Sequence, residues 1–189
     1  FVAGANYAAE EMGIDVEIKY NYTGSFEPTP DIQTMASSWY QSGTEVIFSC
    51  GGGIAASVLK AAQDNDAKMI GVDVDQKDMG DQVITSAMKN LQGSVYDAVK
   101  SVAEGNFPGG ETLHLGVEQE GVQISYDFSR FNTFTEAEYQ EIYQELIDNT
   151  DGLTDSIPVM DFELPEAEQG NPENIMENYN NVQLEYILQ

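Results

Sequence analysis

Residues 45–76 read EVIFSCGGGIAASVLKAAQDNDAKMIGVDVDQ, and this stretch decides the fold class. A short apolar run, Glu45–Cys50, is followed by glycines and then by an alanine-rich segment, Gly53–Asp64, with helical spacing. A second apolar run, Lys68–Val72, comes next. Strands that alternate with helices in units of about 25 residues are typical of a parallel sheet covered by helices. We therefore predict an α/β fold, an open parallel sheet with helices on both faces.

The same alternation extends in both directions along the chain. The predicted helices are 1–12, 31–42, 91–104 and 135–149, and the other predicted strands are 16–22, 82–87, 111–117 and 121–126. Gly13 and Gly105 follow two of the helices directly, where glycine commonly ends a helix. We expect residues 1–125 to form a ligand-binding lobe. Residues 126–189 are expected to form an acidic C-terminal extension, helical over 135–149 and then irregular.

The charge of the chain excludes some classes of partner. The formal net charge is −26, from 33 acidic residues against seven Lys and Arg. In residues 101–189 the only Lys or Arg is Arg130. Non-specific binding to nucleic acid or to an anionic membrane needs basic residues, so we predict neither. We interpret the acidic residues mainly as a solvated surface. A weaker hypothesis for the function is an acidic domain that interacts with partners non-specifically.

Catalytic residues are not evident in the sequence. Cys50 is the only cysteine, so no disulfide can form within the chain, and its place at the end of an apolar run predicts a small buried packing residue. The only histidine, His114, lies in a separate strand-like run. We therefore predict that the protein is not an enzyme and that it needs no cofactor. The first ten residues resemble the middle of a helix, which suggests a piece of a longer chain.

Polar residues follow the apolar run that ends at Val72. Asp73 and Asp75 lie there with Gln76 beside them, and the preceding strand ends in glycines. Ligands of open parallel sheets sit outside the carboxyl ends of the strands. Two such ends carrying glycines and acids predict a site for a sugar-bearing ligand. A metal site is not predicted at Asp73 and Asp75.

The glycines also allow a second interpretation. Gly51, Gly53 and Ala56 fit the pattern G-x-G-x-x-A, and Asp73 lies 20 residues after Gly53. This spacing is typical of a dinucleotide-binding turn with an acid on the ribose, so a NAD-dependent oxidoreductase is an alternative hypothesis. Against it, a complete strand–helix unit precedes the glycines. A third possibility is that the glycines simply permit a tight turn.

Several short segments share the order and approximate spacing of one known family. They are FVAG (1–4), YTGSF (22–26), ASSWYQSG (36–43), VIFSCGGG (46–53), IGVDVDQ (70–76), ITSAMK (84–89) and GNFPGG (105–110). Taken together, they resemble the basic membrane protein family of bacterial surface lipoproteins, which includes purine nucleoside receptors of ABC importers. The resemblance covers about residues 1–125, and residues 155–189 match nothing in it.

The resemblance implies a two-lobed, type I periplasmic-binding-protein fold that closes on a nucleoside. This chain would supply the C-terminal lobe, and the N-terminal lobe with its lipid-anchored cysteine would be absent from it. The implied function is that of the solute-binding component of an ABC importer. Its partner is an ABC permease, and its location is extracytoplasmic, on the bacterial cell surface.

The resemblance also implies roles for individual residues. Phe26 would stack on the base, and Gly51, Gly52 and Gly53 would let the backbone approach the ligand. Asp73 would accept hydrogen bonds from the ribose hydroxyls. Lys89 would donate to the ligand while pairing with Asp73 or Asp75. Asp75 is included in the candidate site, although capping of its own turn is the favoured role for Asp75 and Gln76.

Overall fold

The computed structural model describes residues 1–158 and 179–187 of the 189-residue chain. In the described part the helices are α1 (Val2–Met12), α2 (Pro30–Gln41), α3 (Ala55–Asn65), α4 (Leu91–Glu104) and α5 (Glu136–Ile147). The strands are β1 (Val16–Tyr20), β2 (Val46–Phe48), β3 (Lys68–Asp73), β4 (Val83–Lys89), β5 (Val122–Ile124) and β6 (Val182–Tyr186). The predicted helices are therefore present, with ends shifted by one or two residues.

Contacts between residues divide the chain into two units. The inner unit is Thr23–Asp148, and the terminal unit combines Phe1–Tyr22 with Asn149–Gln189. This division differs from the boundary expected after residue 125. Residues 126–148, which include α5, group with the inner unit instead of with the tail.

The inner unit contains a four-stranded sheet in the order β2-β3-β4-β5. Strands β2, β3 and β4 are parallel, and β5 pairs antiparallel with β4. The predicted α/β fold with a parallel sheet is confirmed. The predicted strand 111–117 is wrong: residues 111–116 are exposed and have no strand conformation. Alternating side chains alone do not make a strand, because a strand also needs a neighbour for its backbone hydrogen bonds.

Helices α2 and α3 pack together and enclose the apolar core of this unit. The core side chains are Ile32, Ala36, Tyr40, Ile47, Ile54, Ala55, Val58, Leu59, Ala61, Ala62, Met69 and Val83. The Tyr40 hydroxyl donates to the carbonyl of Lys68 at 2.8 Å, which satisfies a buried polar group. Burial raises the pKa of the Tyr40 phenol. Tyr40 and the neighbouring Trp39 both contribute to packing.

Helix α4 is different, because none of its residues is buried. Its largest apolar side chains are 47–65% exposed: Leu91, Val95, Tyr96, Val99 and Val102. No helix of the described part is long and apolar enough to cross a membrane. Helix α4 is an amphipathic helix of 14 residues, and its apolar stripe is exposed.

The terminal unit is built from both ends of the chain. Strand β1 pairs in parallel with β6, and the rings of Tyr20 and Tyr186 stack with centroids 4.9 Å apart. Strand β1 is therefore not part of the four-stranded sheet, and the irregular conformation predicted at 182–186 is wrong. The backbone hydrogen bonds of β1 are satisfied by a strand far away in sequence. The rest of the predicted irregular tail, residues 159–178 and 188–189, lies outside the described residues.

Candidate functional site

Three parallel strands of the inner unit end at the same edge of the sheet. Strand β2 leads into Cys50–Gly52, β3 ends at Asp73 and β4 ends at Lys89. In the pairing of β3 with β4, Asp73 lies opposite Met88, the residue before Lys89. The sheet therefore brings together the residues that the sequence predicted for this edge, in the place where ligands of such sheets bind.

The loop before α2 carries Phe26 to the same place. Its ring is 74% exposed and lies beside Gly52: a Cβ atom on Gly52 would be 3.7 Å from a ring carbon. The loop is fixed at its far end, because Thr29 caps α2 and its carbonyl accepts a hydrogen bond of 3.0 Å from Ser57 of α3. Because the Phe26 ring is exposed, it does not anchor its loop in the core. The ring is available to stack on a planar group.

Two of the three glycines have clear steric reasons to be glycine. Gly52 has a φ of 58°, in the left-handed region that favours glycine. A Cβ atom on Gly53 would lie 2.7 Å from the carbonyl oxygen of Phe26, which is too close. Because Gly53 has no side chain, the Phe26 loop can pack against the start of the segment that leads into α3. This packing within the chain accounts for Gly53 without any ligand.

Asp73 and Lys89 form an ion pair at the strand ends. Lys89 Nζ lies 2.8 Å from Asp73 Oδ1, and both side chains are partly exposed, at 62% and 40%. The hydrogen bond to the Asp73 carboxylate raises the pKa of Lys89, so the ammonium stays charged. The predicted pair of Lys89 with Asp73 is confirmed. Asp73 also has a φ of 69°, which is uncommon for a residue other than glycine.

The turn after Asp73 is closed by its own polar side chains. Asp75 Oδ1 accepts from the Lys77 amide at 3.1 Å, and Asp75 Oδ2 accepts from the Ser125 hydroxyl at 2.8 Å. Gln76 Oε1 accepts from the Val72 amide at 3.2 Å. Both oxygens of Asp75 are thus used within the chain. This geometry favours the capping role over direct contact with a ligand.

Cys50 and His114 differ from the sequence-based expectations. Cys50 is exposed, so its prediction as a buried packing residue is wrong. Strand β2 ends at Phe48, and the chain turns outward at Cys50 before the glycines, so the apolar run is longer than the strand. His114 lies in the exposed, non-strand segment after α4.

Sequence reasoning missed the residues that support the turn after Asp73. Ser125 and Arg130 contact the connection between β3 and β4 from about 50 residues farther along the chain. Each is an ordinary polar residue in a loop, and no local pattern marks it. Only the antiparallel pairing of β5 with β4 explains why the segment after β5 reaches this turn.

Other features of the described residues do not add to the site. Within residues 1–158 and 179–187 no group of three or more His, Cys, Asp or Glu side chains could hold a metal ion. A shallow depression of about 320 Å³ lies at the opposite edge of the sheet, where Lys68 begins β3 and Gln82 precedes β4. This depression is far from the strand ends that carry Asp73 and Lys89, so it is not part of the candidate site.

Comparisons with known proteins place this geometry in context. The chain is 29% identical over 145 residues to the ABC transporter nucleoside-binding protein BmpA of Lactococcus lactis, covering 67% of this chain and 40% of that protein. It is 28% identical over 165 residues to the CD4+ T-cell-stimulating antigen of Listeria monocytogenes, covering 78% of this chain and 46% of that protein. The chain thus spans less than half the length of these relatives.

A solved structure shows the same fold. An ABC transporter solute-binding protein from Aeropyrum pernix superimposes with a TM-score of 0.60 at 24% identity, covering 82% of this chain and 47% of that chain. The predicted periplasmic-binding-protein-like fold is therefore confirmed. The family described as ABC transporter substrate-binding protein PnrA-like matches residues 1–154, most of the chain. The chain therefore belongs to the Bmp family of PnrA-like ABC transporter substrate-binding proteins.

Proposed function

We propose that this chain forms a nucleoside-binding surface of the solute-binding component of an ABC importer. One observation carries the proposal: the exposed Phe26 ring, Gly52 and the Asp73–Lys89 pair lie at one edge of the sheet. Phe26 lies beside Gly52 after β2, Lys89 pairs with Asp73, and β2, β3 and β4 are adjacent parallel strands whose carboxyl ends carry these groups. An apolar plane beside a paired carboxylate suits a ligand with a flat base and a hydroxylated sugar.

Each group has a distinct task in this proposal. The ring of Phe26 stacks on the base, since a rigid aromatic side chain gives contact area at little entropic cost. The two oxygens of Asp73 accept hydrogen bonds from neighbouring ribose hydroxyls, and charge-assisted bonds of this kind are the stronger ones. Lys89 holds the carboxylate in place and has further N–H groups for a ligand oxygen. Asp75 supports the turn.

The partners and the location follow from the same proposal. Ligand binding would shift a two-lobed protein towards its closed state, and the N-terminal lobe and an ABC permease would be the partners. The protein would act outside the cytoplasm, held at the bacterial cell surface by a lipid anchor. The name of the Lactococcus lactis relative, a nucleoside-binding protein, supports a nucleoside as ligand.

The alternative hypotheses gain no support. The family match and the solute-binding protein from Aeropyrum pernix favour a binding protein over a NAD-dependent oxidoreductase. The steric need for glycine at position 53 also arises within the chain, so the glycine pattern is no longer evidence for a dinucleotide. No specific contact favours an acidic interaction domain.

Calorimetric titration tests the proposal. The complete natural protein that contains this sequence is titrated with guanosine, adenosine, inosine and NAD. We expect at least one nucleoside to bind and NAD not to bind. Asp73→Ala should weaken nucleoside binding at least about tenfold, because a hydrogen bond to a charged group contributes about 1.5–3 kcal/mol.

A matched variant controls for the loss of one charge. Asp97→Asn removes a carboxylate from the exposed surface of α4 and should leave nucleoside affinity unchanged. The proposal is wrong if NAD binds while all three nucleosides are inert. It is also wrong if Asp73→Ala, folded as judged by circular dichroism, binds nucleoside as tightly as Asp97→Asn.

A further inference from the structure

Residues 125–130, the segment that follows β5, form hydrogen bonds and an ion pair with the connection between β3 and β4. Ser125 donates to Asp75 Oδ2 at 2.8 Å, and Lys77 Nζ lies 3.0 Å from Asp127 Oδ2. Arg130 Nη1 donates to the carbonyls of Lys77, Gly80 and Val83 at 3.0, 2.9 and 2.7 Å. Residues 125–130 therefore contact the connection between β3 and β4 from Asp75 to Val83, the first residue of β4.

The first of these contacts is the one nearest to Asp73. Ser125 is buried, with 4% of its surface exposed, and its hydroxyl donates to Asp75 and accepts from the Asp127 amide at 3.4 Å. A buried hydroxyl that lost its acceptor would be left with an unsatisfied polar group. The Ser125–Asp75 bond is therefore costly to break, and it fixes a residue only two positions after Asp73.

Asp73 needs such support because its backbone is strained. A φ of 69° on an aspartate is less favourable than on glycine, and such conformations persist only where the surroundings impose them. On the far side of the turn, the backbone amide of Gln76 donates to Ser86 Oγ at 3.0 Å. The side-chain oxygen of Gln76 accepts from the Val72 amide. Ser125 holds Asp75, which lies between Asp73 and Gln76.

We propose that Ser125 is a positioning residue for the ligand-binding carboxylate of Asp73, acting through Asp75. This rests on the proposed function, because it assumes that Asp73 contacts the ligand. Ser125 and Asp75 keep the turn in the one conformation that directs Asp73 towards Lys89, and neither of them contacts the ligand. A residue with a merely structural role would change the stability of the fold and not the affinity of a protein that remains folded.

The test uses the complete natural protein and compares Ser125→Ala with Ser125→Thr and Ser38→Ala. Ser38 donates only to the Met35 carbonyl within α2 on the surface, so it is the matched control for the loss of one hydroxyl. Amide hydrogen exchange is measured without ligand, and affinity is measured by calorimetry with guanosine, adenosine and inosine. In Ser125→Ala the Gln76 and Lys77 amides should exchange at least about fivefold faster, since a hydrogen bond to a charged group corresponds to about a tenfold equilibrium effect.

The affinity of Ser125→Ala for the nucleoside that the natural protein binds should fall about five- to tenfold, on the same basis. Ser125→Thr, which keeps the hydroxyl, should restore both readouts, and Ser38→Ala should change neither. Unchanged exchange in Ser125→Ala overturns the proposal. So does faster exchange with unchanged affinity.

A double-mutant cycle tests whether Asp75 transmits the effect. Asp75→Ala should lower affinity at least as much as Ser125→Ala, because it also removes the acceptor of the Lys77 amide. Adding Ser125→Ala to Asp75→Ala should lower affinity no further, because the Ser125–Asp75 bond is already lost. Additive losses would show that Ser125 does not act through Asp75, and the proposal would be wrong. Asp75→Ala also serves if Ser125→Ala does not fold. If the natural protein binds no nucleoside, the proposed function fails, and the exchange measurements still decide whether Ser125 fixes the turn.

Discussion

Lys89 Nζ lies 2.8 Å from Asp73 Oδ1, and the pair joins the carboxyl ends of two neighbouring parallel strands. Both side chains are partly exposed, and exposed ion pairs contribute only about 0–1 kcal/mol to stability. The pair therefore does little for the fold itself. In the proposed function, the pair holds one carboxylate oxygen of Asp73 in a fixed place at the strand ends.

Lys89→Met should consequently separate binding from stability. We expect the free energy of unfolding in urea to change by less than about 1 kcal/mol. Nucleoside affinity, measured by calorimetry on the complete natural protein, should fall about tenfold or more, as expected when a charged partner is lost. Lys60→Met is the matched control, because Lys60 forms a surface pair with Asp64 within α3. Equal affinities for the two variants would contradict the role of Lys89.

Gly53→Ala should destabilise the inner unit. The new methyl group would lie 2.7 Å from the Phe26 carbonyl oxygen, so the loop and the segment leading into α3 would have to separate. We expect a loss of about 1–3 kcal/mol, typical of overpacking, measured by urea unfolding. The control is Gly109→Ala, whose methyl group would meet only the Phe107 ring at 3.6 Å. The steric argument fails if both variants are equally stable.

Asp127 should make stability depend on pH in the acid range. Hydrogen bonds from Ser129 and Lys77 hold the pKa of Asp127 below its usual value. A carboxylate with a lowered folded pKa contributes stability that is fully present above its unfolded pKa of about 4 and is lost as the pH falls below it. Asp127→Asn removes the contribution at every pH. The natural chain should therefore exceed the variant in stability at pH 7, and the difference should shrink by pH 3.

Urea unfolding at pH 7, 5 and 3 measures this difference. Asp97→Asn, on the exposed surface of α4, is the matched control for the loss of one carboxylate. A difference between the natural chain and Asp127→Asn that is the same at pH 3 as at pH 7 would show that the carboxylate is not stabilised in the folded state.

Two valines on different helices should respond differently to truncation. Val58 on α3 is 4% exposed, whereas Val99 on α4 is 65% exposed. Val58→Ala should cost about 1.5–3 kcal/mol, because two buried methyl groups are lost and a cavity remains. Val99→Ala should change the free energy of unfolding by less than about 0.5 kcal/mol. A large loss for Val99→Ala, measured by urea unfolding of this chain, would mean that the apolar side of α4 is covered in solution.

Local signals in the sequence predicted the helices and the parallel strands well. Gly13 and Gly105 do end α1 and α4, each in the left-handed conformation, because that conformation depends on only a few neighbouring residues. The predicted strands 68–72 and 82–87 end one residue before Asp73 and two residues before Lys89, where β3 and β4 end.

What failed depends on partners far away in sequence. The partner of β1 is a strand that begins at Val182, and no pattern near residues 16–20 indicates it. The alternation of residues 111–117 has no neighbouring strand to pair with. The support of Asp75 by Ser125 likewise spans 50 residues. The exposure of Cys50 was missed because the apolar run continues past the end of β2.

The pairing of β1 with β6 has a consequence for the order in which the chain folds during synthesis. A ribosome synthesises all of the inner unit, Thr23–Asp148, before it makes Val182, the first residue of β6. At about 5–20 residues per second, the interval between the two is on the order of two to seven seconds, long compared with the folding of a small domain. The inner unit can therefore complete its sheet before the partner of β1 exists, and β1, although it precedes the inner unit in the sequence, is paired later than the strands of that unit.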